Sequence, residues 1–420
     1  MKSPTQSDYE IAVIGAGIVG IASALTLQRA GYRVCLVDKD EPGQQTSFGN
    51  AGLLATSPVV PINNPGLWRQ LPAILLKQSH YVSYDWQYLL SNVTSFARYL
   101  SHATAISTQK RAKALKQLIY PSIEIHQQWM KQAGILNQLR DTGWLKLYTS
   151  TDLFNSTAFE RKLLTQHQVD IEVLDTAQIL ELEPNLPATF RHGLLVRDSQ
   201  SIDNPEAVSQ AYTQLFINDG GSFIKTIVQS MNHPDSSHQW LIHTAGGQQI
   251  TADKIVLSLG PWSKDFFFNM GIKLPMIYER GGHRMFNTKP EQLITRPVYD
   301  AEGGFIITPM QGLYRMTCGV QLTDRKKPYQ WDQLNKAEQM ARTRFPLDSA
   351  IDGKDWDGIR PCLPDYLPVI GETRHKGLWV NTGHQHQGLT MAPESARILT
   401  QLIQSAQDGS DTAYSAIRFN

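Results

Sequence analysis

The residues "YEIAVIGAGIVGIASALTLQRAGYRVCLVD", Tyr9 to Asp38, constrain the fold of this chain more than any other stretch. An apolar run ends at Gly15, as a strand buried in a parallel sheet does. Ile18 to Ala30 has helical spacing, and Gly31 is a good helix stop. Tyr32 to Asp38 is a second, β-branched run, so the pattern predicts a βαβ unit. Gly15, Gly17 and Gly20 form G-x-G-x-x-G at the strand–helix junction. The first glycine makes the tight turn, the second lets a pyrophosphate approach the backbone, and the third lets the helix pack on the strand. The helix N-terminus then faces the phosphates. Asp38 ends the second strand 18 residues after Gly20. A carboxylate there accepts from a ribose diol and repels a 2′-phosphate. The expected ligand is a dinucleotide, and not of the NADP type.

The bulk properties exclude several other classes. With 420 residues the chain exceeds one ordinary core and suits two domains. Lys and Arg number 39 against 38 Asp and Glu, which leaves no field to draw nucleic acid. Cys35, Cys318 and Cys362 are scattered and odd in number. Neither a disulfide framework nor a zinc knuckle is expected, and a reducing cytoplasm is the natural setting. Ile11 to Leu27 is apolar but falls just short of the roughly 18–20 residues of a membrane span. Asp8 and Glu10 precede it, where a signal peptide would be basic.

Strand–glycine signals of the parallel type recur at Ala252–Gly260 and Gly377–His384. Between them lie Gly143–Ser150, Gly193–Asp203, Gly282–Asn287, Gly304–Thr308 and Gly312–Val320, which read as antiparallel strands, and "SFIKTIVQSM", which reads as one more. Helices are expected over most of Gly66–Gly134, at Pro205–Asn218 and Trp331–Arg344, and at the close from Gly388 to Gln407. The predicted class is α/β with an α+β second domain. A Rossmann-type nucleotide-binding domain is built from segments 1–60, 203–263 and 354–420. A substrate domain of 61–202 and 264–353, with a mixed or antiparallel sheet and helices, interrupts it.

"QQTSFGNAGLL", Gln44 to Leu54, favours FAD over NAD. Its small, hydroxyl-bearing and glycine residues approach a flat ligand through backbone N–H groups, where an NAD fold often has an ordinary helix. His384 and His386 in "TGHQHQGLTMAP" are two apart in a glycine turn without a nearby Cys or acid, so no metal site is expected. One of these histidines, or Gln387, is a candidate to face the substrate.

The motifs "GAGIVG…VDKD…TSFGNAG", "VLSLGPWS" and "WDGIRPCLPDYLPVIG…GLWVNTGHQHQGLTMAPESARIL" together resemble the FAD-dependent D-amino acid oxidase and dehydrogenase superfamily. The pattern is most similar to that of the bacterial D-amino acid dehydrogenases. The resemblance runs in order along nearly the whole chain and is weak from about Ile62 to Ile202. It implies that Arg360, in "GIRP", binds the substrate carboxylate through a bidentate fork, with Pro361 stiffening its loop. Gly383, Gly388, Leu389 and Thr390 are implied at the flavin pyrimidine edge. There a helix N-terminus stabilises the reduced, anionic ring by about 0.3–2 kcal/mol. Other implied FAD contacts are Gly15, Gly17, Ile18, Val19, Gly20, Asp38, Lys39, Thr46, Ser47, Asn50, Ala51, Gly52, Leu53, Val228, Gly260 and Trp262. His386, Gln387 and Tyr278 are the substrate-side candidates, with His283, Tyr299 and Tyr314 as rivals of Tyr278. Leu259, Pro261 and the "HQHQ" run depart from the family's smaller residues. Cys362 is not at the position where sarcosine-oxidase-like relatives attach flavin, so FAD is expected without a covalent bond.

The reaction so implied is hydride transfer from Cα of a D-amino acid, or of a cyclic imino acid such as D-proline, to flavin N5. Imine and then keto acid follow, with electrons leaving to a quinone or another carrier. An oxygen-using oxidase, an NAD-dependent dehydrogenase and a flavin-holding subunit without activity are the alternatives. "GLWRQLPAILLKQ", Gly66 to Gln78, is apolar and basic. It suits either a core helix or one resting on the inner face of a bacterial membrane.

Overall fold

The computed structural model describes residues 7–233 and 239–419. Among these, eight strands form one sheet, ten a second and three a small third. Strand β1 (Tyr9–Ile14), helix α1 (Ile18–Arg29) and strand β2 (Val34–Asp38) are the βαβ unit read from the sequence. β1 lies between two parallel neighbours, β2 and the strand Gln249–Leu257. Covered on both faces, its Ile11, Ala12 and Val13 are fully buried. α1 is buried almost all round, and Gly17 stands at its N-cap with no side-chain cap. The strand Leu378–Thr382 joins this sheet in parallel from the far end of the sequence. The closing helix Gly388–Ser405 and α1 share one hydrophobic core.

The long helix Ala105–Gln132 packs on the same core. Its Ala112, Leu115, Leu118 and Ile119 join the core of α1 and the closing helix. Ser122 Oγ accepts from the backbone N–H of Glu394 at 3.0 Å. His126 spans Leu389 O and Tyr212 Oη, each at 2.8 Å.

The ten-stranded sheet is built on the strand Ile277–Thr288, paired antiparallel on one side with Leu313–Leu322. On its other side it pairs antiparallel with Trp356–Cys362. Two sequence expectations change here. Arg360 and Pro361 lie on that last strand, not on a loop. Among the described residues the strand has one partner, and an edge strand tolerates a proline that donates nothing to the ladder. "SFIKTIVQSM" forms two strands, Ser222–Lys225 against β2 and Val228–Asn232 against Trp240–Thr244. The chain turns at Thr226, whose N–H donates to Asp38 O at 2.7 Å. No glycine or proline marks that turn, so periodicity alone runs through it.

Candidate active site

A cavity of about 1100 Å³ runs between the two large sheets. This is more than a small substrate needs, since ligand pockets span roughly 300–1,000 Å³. At one end it is walled by Gly15, Gly17, Ile18, Val19, Asp38 and Lys39, and by Thr46, Ser47, Asn50, Ala51 and Leu53 of the loop after β2. Gly20 does not reach it. A Cβ there would stand 1.8 Å from Gly15 O, so the third glycine serves the close packing of α1 on the turn. Gly52 also lies outside the wall, in a turn at φ +69°. Asp38 accepts from the N–H groups of Ala16 (2.6 Å) and Asp40 (3.0 Å), which ties the end of β2 to the glycine turn. Lys39 pairs with Asp40 at 2.6 Å.

The loop 44–55 is held from several sides. Ser47 Oγ accepts from Ile18 N at 3.0 Å, and Thr46 donates to Ile359 O at 2.9 Å. Arg315, reaching from the second sheet, donates to Phe48 O (3.1 Å) and Asn50 O (2.7 Å). Thr390 donates its hydroxyl to Leu53 O at 3.1 Å, so it staples the closing helix to this loop.

The wall continues through Val228, Ser258, Gly260, Trp262, Gly383, Gly388, Leu389 and Thr390 to Arg360, His386 and Gln387. The first turn of the closing helix borders the cavity, and helix geometry leaves its N–H groups without intrahelical partners. Arg360 makes one side-chain hydrogen bond, from Nη1 to Gly319 O at 2.9 Å. Among the described residues it has no ion pair, so most of its donors face open space. His386 Nδ1 lies 2.7 Å from Tyr366 Oη, and burial with the charges of Arg360 and Lys146 pushes its imidazole down to about 3. Burial alone pushes His384 down to about 3. Both rings are therefore neutral at ordinary pH. Among the described residues no group of three or more His, Cys, Asp or Glu could hold a metal ion.

Tyr278 is not in this wall. On a strand, alternate residues face opposite sides. Ile277, Glu279 and Gly281 border the cavity while Tyr278 points behind the sheet, stacked on Tyr88 at 6.4 Å between centroids. Sequence patterning carries no register for this strand and starts it at Gly282, five residues after its observed start at Ile277. Of the rivals, Tyr299 borders the cavity. Tyr314 is a core residue whose hydroxyl accepts from Ile294 N at 2.6 Å, and His283 stacks on Trp356. Wall residues that sequence reasoning missed include buried Glu279 and Lys146, the latter paired with Glu160 at 2.6 Å.

The arrangement fits FAD on grounds of its own. Seven buried polar atoms of the described wall residues lack any partner: Ser57 Oγ, Trp144 Nε1, Ser258 Oγ, Thr317 Oγ1, Asn381 Oδ1, His384 Nε2 and Gln387 Oε1. Such orphans are uncommon in a finished interior and are expected where a polar ligand completes the site. A glycine turn, the carboxylate at the end of β2 and a second helix terminus on one cavity are the parts of a dinucleotide-dependent flavoprotein oxidoreductase. Residues 10–402 match the DAO family, FAD dependent oxidoreductase, and the chain belongs to that family.

Similar proteins include a D-amino-acid oxidase of Bradyrhizobium diazoefficiens, 27% identical over 94% of this chain and 95% of its own. A D-amino acid dehydrogenase of Methylobacterium radiotolerans is also 27% identical, over 94% and 95%. Among solved structures, glycine oxidase from Geobacillus kaustophilus superposes with a TM-score of 0.74 at 19% identity, covering 99% of this chain and 98% of that one. L-proline dehydrogenase from P. horikoshii gives 0.70 at 16%, over 96% and 95%. These two likenesses concern the fold.

Proposed function

We propose that the protein oxidises an α-amino acid of D configuration, or a cyclic imino acid such as D-proline, at its Cα–N bond. FAD, when bound, supplies the acceptor for the hydride that leaves Cα. Gly15, Gly17 and the N-terminus of α1 would hold its pyrophosphate and Asp38 its ribose, and the 383–390 turn would supply backbone N–H groups to its ring. Arg360 receives the carboxylate as a bidentate fork and so fixes which hydrogen of Cα faces the ring. The neutral imidazoles of His384 and His386 add no charge to the pocket, and the imine leaves to hydrolyse in water. The observation that carries this reading is Arg360: a guanidinium in the cavity wall with one backbone partner and no carboxylate of its own. Attachment of FAD without a covalent bond is supported by Cys362, whose fully buried thiol is held far above its usual range by that burial.

The Arg360→Ala variant is expected to purify with FAD at wild-type stoichiometry. The spectral change that D-amino acids or simple carboxylates produce in the bound cofactor should need at least about 100-fold higher concentrations, the scale of a lost bidentate ion pair. An anaerobic panel of D- and L-amino acids, prolines and glycine, scored by bleaching of the FAD band, names the substrate. Unchanged bleaching in Arg360→Ala overturns the assignment.

A quinone or another apolar carrier, met at a membrane surface, is our reading of the electron acceptor. It is supported by the helix Leu67–Leu75, which buries no residue, contrary to the core-helix alternative. Leu71, Ile74, Leu75, Trp86 and Leu90 open the same cavity to the outside. Trp68, Leu75, Leu76, Trp86, Leu90 and Val93 are exposed. No helix among the described residues is long and apolar enough to cross a membrane.

A further inference from the structure

Glu279 stands directly across from Arg360 on neighbouring antiparallel strands. Residues so paired put their side chains on the same face, with Cβ atoms about 5 Å apart. Both border the cavity. The two charges nevertheless do not form an ion pair. Arg360 leans over Gly281, where a Cβ would stand 2.2 Å from Nη2, and donates to Gly319 O. Glu279 is 8% exposed, and the groups that act on it are the Arg360 guanidinium across the strand pair, the Cys362 thiol, Tyr99 and Tyr366. An acid buried in this way without a salt bridge is costly. Burial raises its pKa above the usual range, and Arg360 offsets only part of that.

An α-amino acid carries its carboxylate and its ammonium on adjacent positions of one carbon. The wall offers a cation and an acid side by side, neither in a salt bridge among the described residues and both bordering the cavity. We propose that Glu279 receives the amino group of the substrate that Arg360 holds by its carboxylate, and that it takes the ammonium proton before oxidation. In that step an N–H bond breaks and an O–H bond forms. R–NH3+ and the carboxylate become R–NH2 and the neutral acid, and no electrons are transferred. The lone pair left on nitrogen is the one that assists departure of hydride from Cα. The proton returns to water when the product leaves. Glu279 is thus a catalytic residue as well as a selector of amines over 2-hydroxy acids, which offer it no cation.

The inference rests on the amino-acid reading above, because it takes Arg360 as the carboxylate anchor. FAD-loaded wild type, Glu279→Gln and Arg360→Ala are titrated with two matched pairs: D-alanine with propionate, and D-proline with cyclopentanecarboxylate. In Glu279→Gln the nitrogen-free acids should bind within about twofold of wild type. Binding and anaerobic FAD reduction by the amino acids should weaken about 10- to 100-fold at neutral pH, the worth of one charge-assisted hydrogen bond. Reduction should recover as the pH approaches the amine pKa of the free substrate. Equal losses for both members of a pair would make Glu279 a structural support of Arg360 and overturn the proposal, as would no loss at all. If Arg360→Ala keeps its affinity for propionate, the parent reading fails, whatever Glu279 does. Should Glu279→Gln not retain FAD, the wild-type pH profile decides. With an enzymic proton acceptor, kcat/KM levels off well below the amine pKa of the substrate. A profile that climbs to that pKa would overturn the proposal.

Discussion

His126 lies wholly in the interior with a hydrogen-bond partner on each ring nitrogen, Tyr212 and Leu389. Burial pushes its imidazole from 6.5 down to about 4. Between these values the unfolded chain binds a proton that the folded chain refuses, so stability falls as pH drops from about 6.5 toward 4. The full difference is about 3 kcal/mol. His126→Gln should flatten the decline of melting temperature between pH 7 and pH 5; an unchanged slope would assign the acid sensitivity elsewhere. Legibility also differed residue by residue. Asp38 and the glycines announce themselves by spacing, because a turn against a phosphate admits little else. Arg360 stood out through its resemblance to a family motif. Glu279 did not, because its meaning depends on strand register: it matters only as the residue opposite Arg360. The same register turned Tyr278 away, since a shift of one residue reverses the face.

Among the elements, α1 depends most on one atom that is absent. The Cβ that Gly20→Ala adds would meet Gly15 O at 1.8 Å, and backbone cannot swing aside as a side chain does. The helix must lift from the turn, at a cost of about 1–3 kcal/mol for overpacking. Gly20→Ala is expected to fold with a lowered melting temperature and to purify with little FAD, read from the ratio of flavin to protein absorbance. Full FAD occupancy would show that the turn has slack. The βαβ unit and the closing helix were legible because their apolar periods are long and end in glycine. The turn at Thr226 carried no such punctuation. Pro361 suggested a loop, because the sequence does not tell an edge strand from a central one.

For the molecule as a whole, six of the fifteen exposed large apolar side chains among the described residues fall in one short stretch. Trp68, Leu75 and Leu76 of one segment and Trp86, Leu90 and Val93 of the next gather at residues 68–93. An apolar grouping of this kind marks a surface that meets something. Leu76→Gln combined with Leu90→Gln is expected to leave FAD content unchanged and to reduce co-sedimentation with anionic phospholipid vesicles severalfold. Equal sedimentation of variant and wild type would remove the membrane from the account. This surface was only half legible: composition showed an amphipathic segment, but whether its apolar side turned inward required the packing of its neighbours.

The glycine turn at residues 15–20 and the helix start at residues 388–390 border one cavity, although nearly the whole chain separates them. A ribosome therefore finishes almost all of its work before a yellow prosthetic group has anywhere complete to sit. Chains cut short by premature termination, even ones that have lost only the last few dozen residues, emerge with a half-built receptacle and an uncovered first helix, and are fit only for the cell's proteases.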